Sequence, residues 1–308
     1  MLRDAIAKAH ECDVGQIFPR PSMDALLAPL LRAFVGAEDH VALAAPCHPA
    51  FPRQVLAQGA RYVDVGRDRH WNLQHDALER LLDDGALRAL ICGRPDLPSG
   101  TMTPLSALRQ ALHRGLLVIV DETQLAYSDA LAGLARPLNP RSRSALRLFS
   151  EEDVPTHALF VLRRIVGLAP GDMLYVYGEV ESVAALWAID PLASISAPLA
   201  AAAWLVLDHS AQVRREVIGR TTTRSELKRA LSDLDGFEVA NSEAASLMVR
   251  HLGTEGKRLS ELLEVRGLKV ASSAHPSWRD AIALSIPLAE SVERVISIFQ
   301  EVALELTP

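Results

Sequence analysis

Short apolar runs alternate with helical patterns between residues 41 and 122, and this alternation limits the folds open to the chain. The runs typical of buried strands are VALAAP (41–46), RYVDV (61–65), LRALIC (87–92) and LLVIVDE (116–122). Strands that alternate with helices are joined by right-handed crossovers and pair in parallel. The alternation therefore predicts an α/β fold with a mostly parallel sheet flanked by helices.

Three segments lie at the carboxyl ends of these predicted strands, and one of them, 93–100, has a composition unsuited to regular structure. They are the turn at 46–49, the loop GRPDLPSG at 93–100, and the end of the 116–122 strand, which carries Asp121. Because ligands bind beyond the carboxyl ends of strands in such sheets, we expect a site there that includes Asp121. The structural alternative is that Asp121 caps the strand or anchors a loop.

Two adjacent arginines, Arg163 and Arg164, lie inside the segment HALFVLRRIVGLAPGDMLYVYG (157–178). Its pattern predicts a strand over 158–162, a turn that carries both arginines, a Gly-Pro loop, and a second strand over 173–177. Charged pairs in turns are usually solvated. The other interpretation is that a ligand docks on them.

The pattern changes near residue 205, and this change predicts two domains, 1–205 and 206–308. A long helix over 209–234 is followed by strand-like FEVAN, ASLMVRH, LKVASS and DAIALSI, with helices near 257–266 and 288–305. We expect a large α/β domain followed by a smaller C-terminal α+β domain.

The composition narrows the function classes. The net charge of −6 gives no basic surface for nucleic acid, and no apolar run reaches the roughly 18 residues of a membrane span. The N-terminus does not resemble a signal peptide. Cys12, Cys47 and Cys92 are widely spaced, which predicts reduced thiols in a cytoplasmic protein without a metal site. Lysine occurs only at 8, 228, 257 and 269.

The order of these segments resembles the pyridoxal-phosphate-dependent class I/II aminotransferases of fold type I, and among them histidinol-phosphate aminotransferase-like members. LRDAIA, APCHP, GRPDLPSG, VIVDE and RRIVGLAPGDMLY are similar, in order, to five segments of that family. The resemblance covers nearly the whole chain, but the family's N-terminal arm and first small-domain strand have no counterpart. It implies a pyridoxal-phosphate transferase fold and a homodimer, because the family builds its sites across a dimer interface.

The resemblance also implies where the family's cofactor lysine should be, and that position is Arg164. In the family, the lysine forms a Schiff base with the cofactor aldehyde and then moves a proton at the substrate carbon. A guanidinium group, which keeps its proton at any physiological pH, does neither. None of the four lysines lies near this segment.

Further family positions also differ in this chain. Arg163 replaces a phosphate-binding serine, and Asp172 replaces a phosphate-binding arginine. The remaining differences concern contacts to the cofactor and the substrate. His48 is at the position of the aromatic residue that stacks on the cofactor, and its ring could still stack. The other three positions are Leu97, Gln124 and Ala283.

What the resemblance retains is Asp121, the partner of the pyridinium nitrogen, and Ser22 with Met23 at a helix N-terminus suited to phosphate. Arg20 and Arg163 would supply new positive charge at an altered anion site. Alternatively, these arginines are solvated, or paired with acidic residues such as Asp172, Glu151 and Glu152.

Three functional hypotheses follow, and the sequence leaves open whether the chain is an enzyme. The first is a pseudoenzyme: a degenerate aminotransferase without covalent cofactor chemistry that binds a small anionic ligand or a partner, such as an active paralogue. The second is an enzyme that reuses the cleft, with Asp121, His48 and Arg164 as its acid–base and electrostatic groups. The third is an enzyme that holds pyridoxal phosphate, or its amine form, noncovalently.

Overall fold

The fold rests on a computed structural model that describes residues 2–128, 143–168, 173–191, 195–208, 210–273 and 275–306. Within these residues, two sheets hold the chain together, one of seven strands and one of four. The fold class predicted from the sequence is confirmed: a mostly parallel sheet with flanking helices, plus a smaller antiparallel sheet.

The large sheet has the strand order β1-β7-β6-β5-β4-β2-β3. Strands β2 to β6 run parallel, and β7 is antiparallel to both β6 and β1. Their bounds are β1 Ile17–Arg20, β2 His40–Leu43, β3 Arg61–Asp64, β4 Leu87–Gly93, β5 Leu117–Asp121, β6 Leu159–Arg164 and β7 Leu174–Tyr177. The sequence pattern missed β1, because a four-residue strand that contains a proline gives little periodic signal.

Helices cover both faces of this sheet, and two apolar clusters fill the space beneath them. The helices of this part are Leu2–His10, Met23–Phe34, Ala50–Ala57, His75–Asp84, Leu105–His113, Val180–Ile189 and Ala197–Asp208. Pro29 lies inside the second helix, which continues through it to Phe34.

The C-terminal part begins with the helix Ser210–Ser232 and contains an antiparallel sheet of order β10-β11-β9-β8. The strands are β8 Phe237–Val239, β9 Ser246–His251, β10 Ala271–Ser272 and β11 Ala281–Ser285. The helices Gly256–Val265 and Val292–Leu306 pack on this sheet around a third apolar cluster. The segment LKVASS was expected to be a full strand, but only two of its residues pair.

The two arginines of the 157–178 segment lie in a strand, so the predicted turn was wrong. β6 extends to Arg164, with Arg163 opposite Tyr175 and Arg164 opposite Leu174 on β7. The extra residues remain in the strand because β7 pairs with their backbone, and Arg163 has a buried ionic partner described below. Residues 169–172 of the Gly-Pro loop that follows, including Asp172, are not among the residues that the structure describes.

Candidate functional site

The carboxyl ends of the central strands meet at Asp121. The register places Gly93 of β4 and Leu162 of β6 on either side of it. The side chain is 2% exposed, and its Oδ1 accepts a hydrogen bond from the Thr123 amide at 2.9 Å. Burial raises the pKa of this carboxyl to about 6, although the Thr123 hydrogen bonds and the positive charge of Arg164 oppose that rise.

A second buried carboxyl, Asp96, lies in the 93–100 loop at the same edge of the sheet. Asp96 is 2% exposed and forms an ion pair with Arg67, whose guanidinium also donates to the carbonyl of Ala44 at 2.7 Å. Burial raises the pKa of Asp96 to about 6, and the charge of Asp121 adds to the rise while Arg67 opposes it. Asp96 was not among the site residues predicted from the sequence, although its position in a loop after the strand next to Asp121 was a usable signal.

Glu122 is the centre of a buried polar network that includes Arg163. Its Oε2 accepts from Arg163 Nη1 at 2.9 Å and from Ser144 Oγ at 2.6 Å, and its Oε1 accepts from the Ala145 amide at 2.6 Å. The side chains of Arg163 and Glu122 are 5% and 0% exposed. The charge of Arg163 is thus compensated by Glu122, which was not among the partners expected from the sequence.

The same network extends towards the N-terminal helix through Tyr175. His10 Nε2 lies 2.6 Å from Tyr175 Oη, and both residues are buried. Burial raises the pKa of the Tyr175 hydroxyl, while Arg163, which hydrogen-bonds to it, opposes the rise. Arg163 therefore lies between a phenol and a carboxylate in the interior.

Arg20, the other arginine considered for an anion site, is fully buried. Its Nε lies 3.0 Å from Asp190 Oδ2, and its Nη2 donates to the Asp190 carbonyl at 2.6 Å. Its guanidinium also stacks over the ring of Phe18 at 3.7 Å. These contacts give Arg20 a structural role at the end of β1.

The three remaining residues predicted to bind a cofactor are Ser22, Met23 and His48. They lie near the carboxyl ends of the strands, and each makes local structural contacts. Ser22 caps the helix Met23–Phe34, and its Oγ accepts from the Ala25 amide at 3.2 Å. Met23 is buried in the apolar cluster beneath that helix. The imidazole Nδ1 of His48 accepts from the Ala50 amide at 3.2 Å, and the ring lies 5.5 Å from that of Phe51.

The small domain packs closely against the loop that carries Asp96. A Cβ built on Gly100 would lie 1.8 Å from Ser242 Oγ, and the Gly100 carbonyl accepts from the Glu243 amide at 2.7 Å. Ser246 Oγ donates to the Pro98 carbonyl at 2.9 Å. Gln124, at the position of a family tyrosine, accepts from the Ala245 amide at 3.2 Å. These contacts join the two sheets directly beside the candidate site.

No helix among the described residues is long and apolar enough to cross a membrane. No group of three or more His, Cys, Asp or Glu side chains among them is arranged to hold a metal ion.

The family model described as "Aminotransferase class I and II" matches residues 1–282. The chain belongs to this aminotransferase family. It is 26% identical over 309 residues to the histidinol-phosphate aminotransferase of Chromohalobacter salexigens, a match that covers 98% of this chain and 82% of the relative.

Solved structures support the fold at lower identity. The histidinol-phosphate aminotransferase from Clostridium acetobutylicum has a TM-score of 0.81 at 14% identity, covering 99% of this chain and 89% of the other. The Sinorhizobium meliloti enzyme, solved in complex with pyridoxal-5'-phosphate, has a TM-score of 0.80 at 19% identity, covering 99% of this chain and 81% of the other. These likenesses establish the pyridoxal-phosphate transferase fold of type I.

Proposed function

We propose that this chain is a pseudoenzyme of the class I/II aminotransferase family that lacks covalent pyridoxal phosphate chemistry and binds a small anionic ligand or a protein partner. An active aminotransferase paralogue is the partner that we consider first. The observation that carries the proposal is Arg164 at the end of β6, where the resemblance to the family implies the cofactor lysine.

The chemistry of Arg164 argues against a covalent cofactor. Schiff-base formation needs a neutral primary amine, and a guanidinium retains its proton at any physiological pH. All four lysines lie elsewhere. Lys8 is on the first helix, Leu2–His10, and Lys228 is on the helix Ser210–Ser232. Lys257 and Lys269 lie further along the C-terminal part. Pyridoxal phosphate, which the family indicates as the cofactor of this fold, therefore does not fit this chain as a covalent group.

The charges near the site also argue against binding of the cofactor's phosphate group. Arg163 and Arg20 each contact a carboxylate, Glu122 and Asp190 respectively, so their positive charges are already balanced. Ser22 Oγ already accepts a hydrogen bond from the Ala25 amide, which caps its own helix. A phosphate placed here would have to displace a buried ion pair, and breaking such a pair is costly.

We also propose a cytoplasmic homodimer of a chain with a large and a small domain. The boundary predicted near residue 205 falls within the helix Ala197–Asp208, so we place it after that helix. The helix Ala197–Asp208 is apolar around its circumference, and Trp204 and Leu205 on it are 43% and 50% exposed. A second copy of the chain would cover this apolar surface. The three free cysteines fit a reducing compartment.

A second candidate function is favoured by the two buried carboxyls. Asp96 and Asp121 both have a pKa raised to about 6, the range in which a carboxyl exchanges protons near neutral pH. Together with Arg164 they would support acid–base chemistry that needs no bound aldehyde. A metabolite that co-purifies and binds between His48 and Asp121 would favour this candidate.

Titration with pyridoxal phosphate, followed by absorption spectroscopy, tests the proposal. We expect the wild-type spectrum to remain that of free aldehyde, and the variant Arg164→Lys to gain an aldimine band at high cofactor concentration. Saturable binding without an aldimine, weakened in Asp121→Ala, would instead support an enzyme with noncovalent cofactor. A saturating aldimine band in the wild type would overturn the proposal.

A further inference from the structure

A cavity of about 200 Å³ lies where the small domain meets the outer edge of the large sheet. On the large-domain side it is lined by the end of β2, the turn after it, and the edge strand β3. On the small-domain side it is lined by the segment between β10 and β11, which carries His275 and Trp278. Asp121 and Arg164 are not among its lining residues, so we name it separately, as the edge cavity.

Asp64, the last residue of β3, brings a carboxylate to the wall of the edge cavity. Its Oδ1 accepts hydrogen bonds from the backbone amides of Ala45 at 3.0 Å and Gly66 at 2.8 Å. Its Oδ2 accepts none from the part of the chain that the structure describes, and the side chain is partly exposed. Backbone amides therefore fix the direction of this carboxylate and leave one of its oxygens open.

The charge of Asp64 differs from that of the buried carboxylates at the candidate site. Asp96 and Glu122 form ion pairs with buried arginines, whereas no arginine or lysine among the described residues lies within ion-pair distance of Asp64. Its nearest basic group is His275, whose Nε2 lies 3.9 Å from Oδ2. This distance is longer than a hydrogen bond, and an imidazole is charged only when protonated. The negative charge of Asp64 is therefore available to a cation.

Cys47 forms a neutral part of the wall beside this carboxylate. Burial raises the pKa of its thiol to about 12; the charges of Asp96 and Asp64 add to the rise, and Arg67 opposes it. The thiol is thus protonated at neutral pH and adds no charge of its own. The charge of Asp64 acts on this side of the cavity.

Aromatic and apolar groups make up most of the remaining wall. Tyr62, one residue along from the middle of the edge strand, is exposed, and Trp278 is half-buried with one part packed against Met248 and Ala281. Within the described residues, neither ring stacks on another ring or under a cation. The rings of tyrosine and tryptophan attract cations through their faces. The edge cavity thus combines an open carboxylate with aromatic surface.

We propose that the edge cavity binds a small quaternary ammonium group, with its positive charge against Asp64 and its methyl groups against Tyr62 and Trp278. A primary ammonium has three N–H donors to satisfy, and Asp64 is the only carboxylate among the described residues of the wall. A quaternary ammonium has no N–H group and needs only negative charge and aromatic contact.

The size of the edge cavity limits the ligand to a compact one. Its volume of about 200 Å³ is below the roughly 300–1,000 Å³ of sites for drug-sized molecules. The inference goes beyond the proposed function and does not depend on it, because the ligand is a cation and its site does not include Arg164.

Calorimetric titration of the full chain with choline, at mildly alkaline pH, tests the ligand class. We expect saturable binding of choline. We expect at least tenfold weaker binding of ethanolamine, and of the neutral isostere in which a tert-butyl group replaces trimethylammonium. Absence of choline binding would overturn the proposal. Equal binding of the isostere would show that charge is not recognised, and equal binding of ethanolamine would refute the quaternary class.

Two pairs of variants test the site itself. We expect Asp64→Asn, which keeps an oxygen acceptor for the Ala45 and Gly66 amides, to weaken choline binding at least tenfold. The control Asp76→Asn, at an exposed carboxylate in the first turn of the helix His75–Asp84, should leave it unchanged. Equal affinity in these two variants would refute the site.

The second pair concerns the aromatic wall. Tyr62→Phe retains the ring and should bind choline as the wild type does, whereas Tyr62→Leu should weaken binding at least threefold. Equal affinity of the two would contradict the role of the ring. Because these variants leave Arg164 in place, failure of choline binding and appearance of an aldimine at Arg164 or elsewhere are separate outcomes.

Discussion

Two groups of cations in this molecule have opposite surroundings. Arg163 and Arg67, at the edge of the large sheet, are buried against the carboxylates of Glu122 and Asp96. Lys228 and Arg229, on the helix Ser210–Ser232, are half-buried and exposed respectively, and Lys228 Nζ donates to the neutral Asn241 Oδ1 at 2.7 Å. The comparison teaches that a cation at the expected site of a fold does not by itself make an anion site. A cation that is already paired with a buried carboxylate has no net charge to offer a ligand.

The largest expected difference between the two regions concerns stability. Glu122→Gln removes the carboxylate charge that pairs with the buried Arg163, and we expect it to lower the free energy of unfolding by about 3–5 kcal/mol. Chemical denaturation would measure the change. The control is Glu151→Gln, which breaks the half-exposed pair with Arg109 and should cost about 1 kcal/mol or less. Similar losses in both variants would show that the buried network is not structural.

The junction between the two domains is tested at Gly100. Gly100 and Gly115 have φ values of +71° and +77°, so alanine is strained to a similar extent at both. Only at Gly100 does the added Cβ meet a neighbour, Ser242, while nothing lies within 4 Å of it at Gly115. We expect Gly100→Ala to lower the free energy of unfolding by about 1–3 kcal/mol more than Gly115→Ala. Equal costs would mean that the loop and the small domain are not in close contact in solution.

The pH dependence of stability reports on Asp121. Its pKa is raised to about 6 in the folded protein, so between pH 4 and pH 6 the folded state binds more protons than the unfolded state. Stability contributed by this group is present at low pH and falls as the pH rises through that window. We expect Asp121→Asn to reduce this fall by on the order of 1–3 kcal/mol, measured by denaturation at several pH values. An unchanged pH profile would contradict the burial of an ionisable carboxyl at the end of β5.

The smallest expected effect is at Lys228, on the helix Ser210–Ser232. Since Lys228 is half-buried and its contact is a neutral amide, Lys228→Gln should change the free energy of unfolding by less than about 0.5 kcal/mol. The same denaturation assay as for Glu122→Gln gives the comparison. A loss near that of Glu122→Gln would show that Lys228 has a structural role and would remove the contrast between the two regions.

The fold was predictable from the sequence because its signals are local. Strands β2, β4 and β5 are short apolar runs that recur between helical patterns, and that pattern is sufficient for a parallel sheet. The four-residue β1 lacks such a signal, and it exists because β7 offers it an edge. The end of β6 was placed in a turn because two arginines are rare in a buried strand.

The candidate site was predictable only in part, because its contacts join distant residues. Asp121 was found from its place at the end of an apolar run. Arg20 pairs with Asp190, 170 positions away, and Arg163 pairs with Glu122, 41 positions away. No local pattern shows such partners. Glu122 directly follows Asp121, so its position was visible, but its role required the packing of Arg163 and Ser144 around it.

Reductive trapping tests the central claim most directly. The purified protein would be incubated with pyridoxal phosphate, treated with borohydride, and mapped by peptide mass spectrometry. We predict no reduced cofactor on the segment from 157 to 178, at any cofactor concentration. Stoichiometric, saturable labelling of the protein at one residue, together with transfer of amino groups between an amino acid and a keto acid, would contradict the claim.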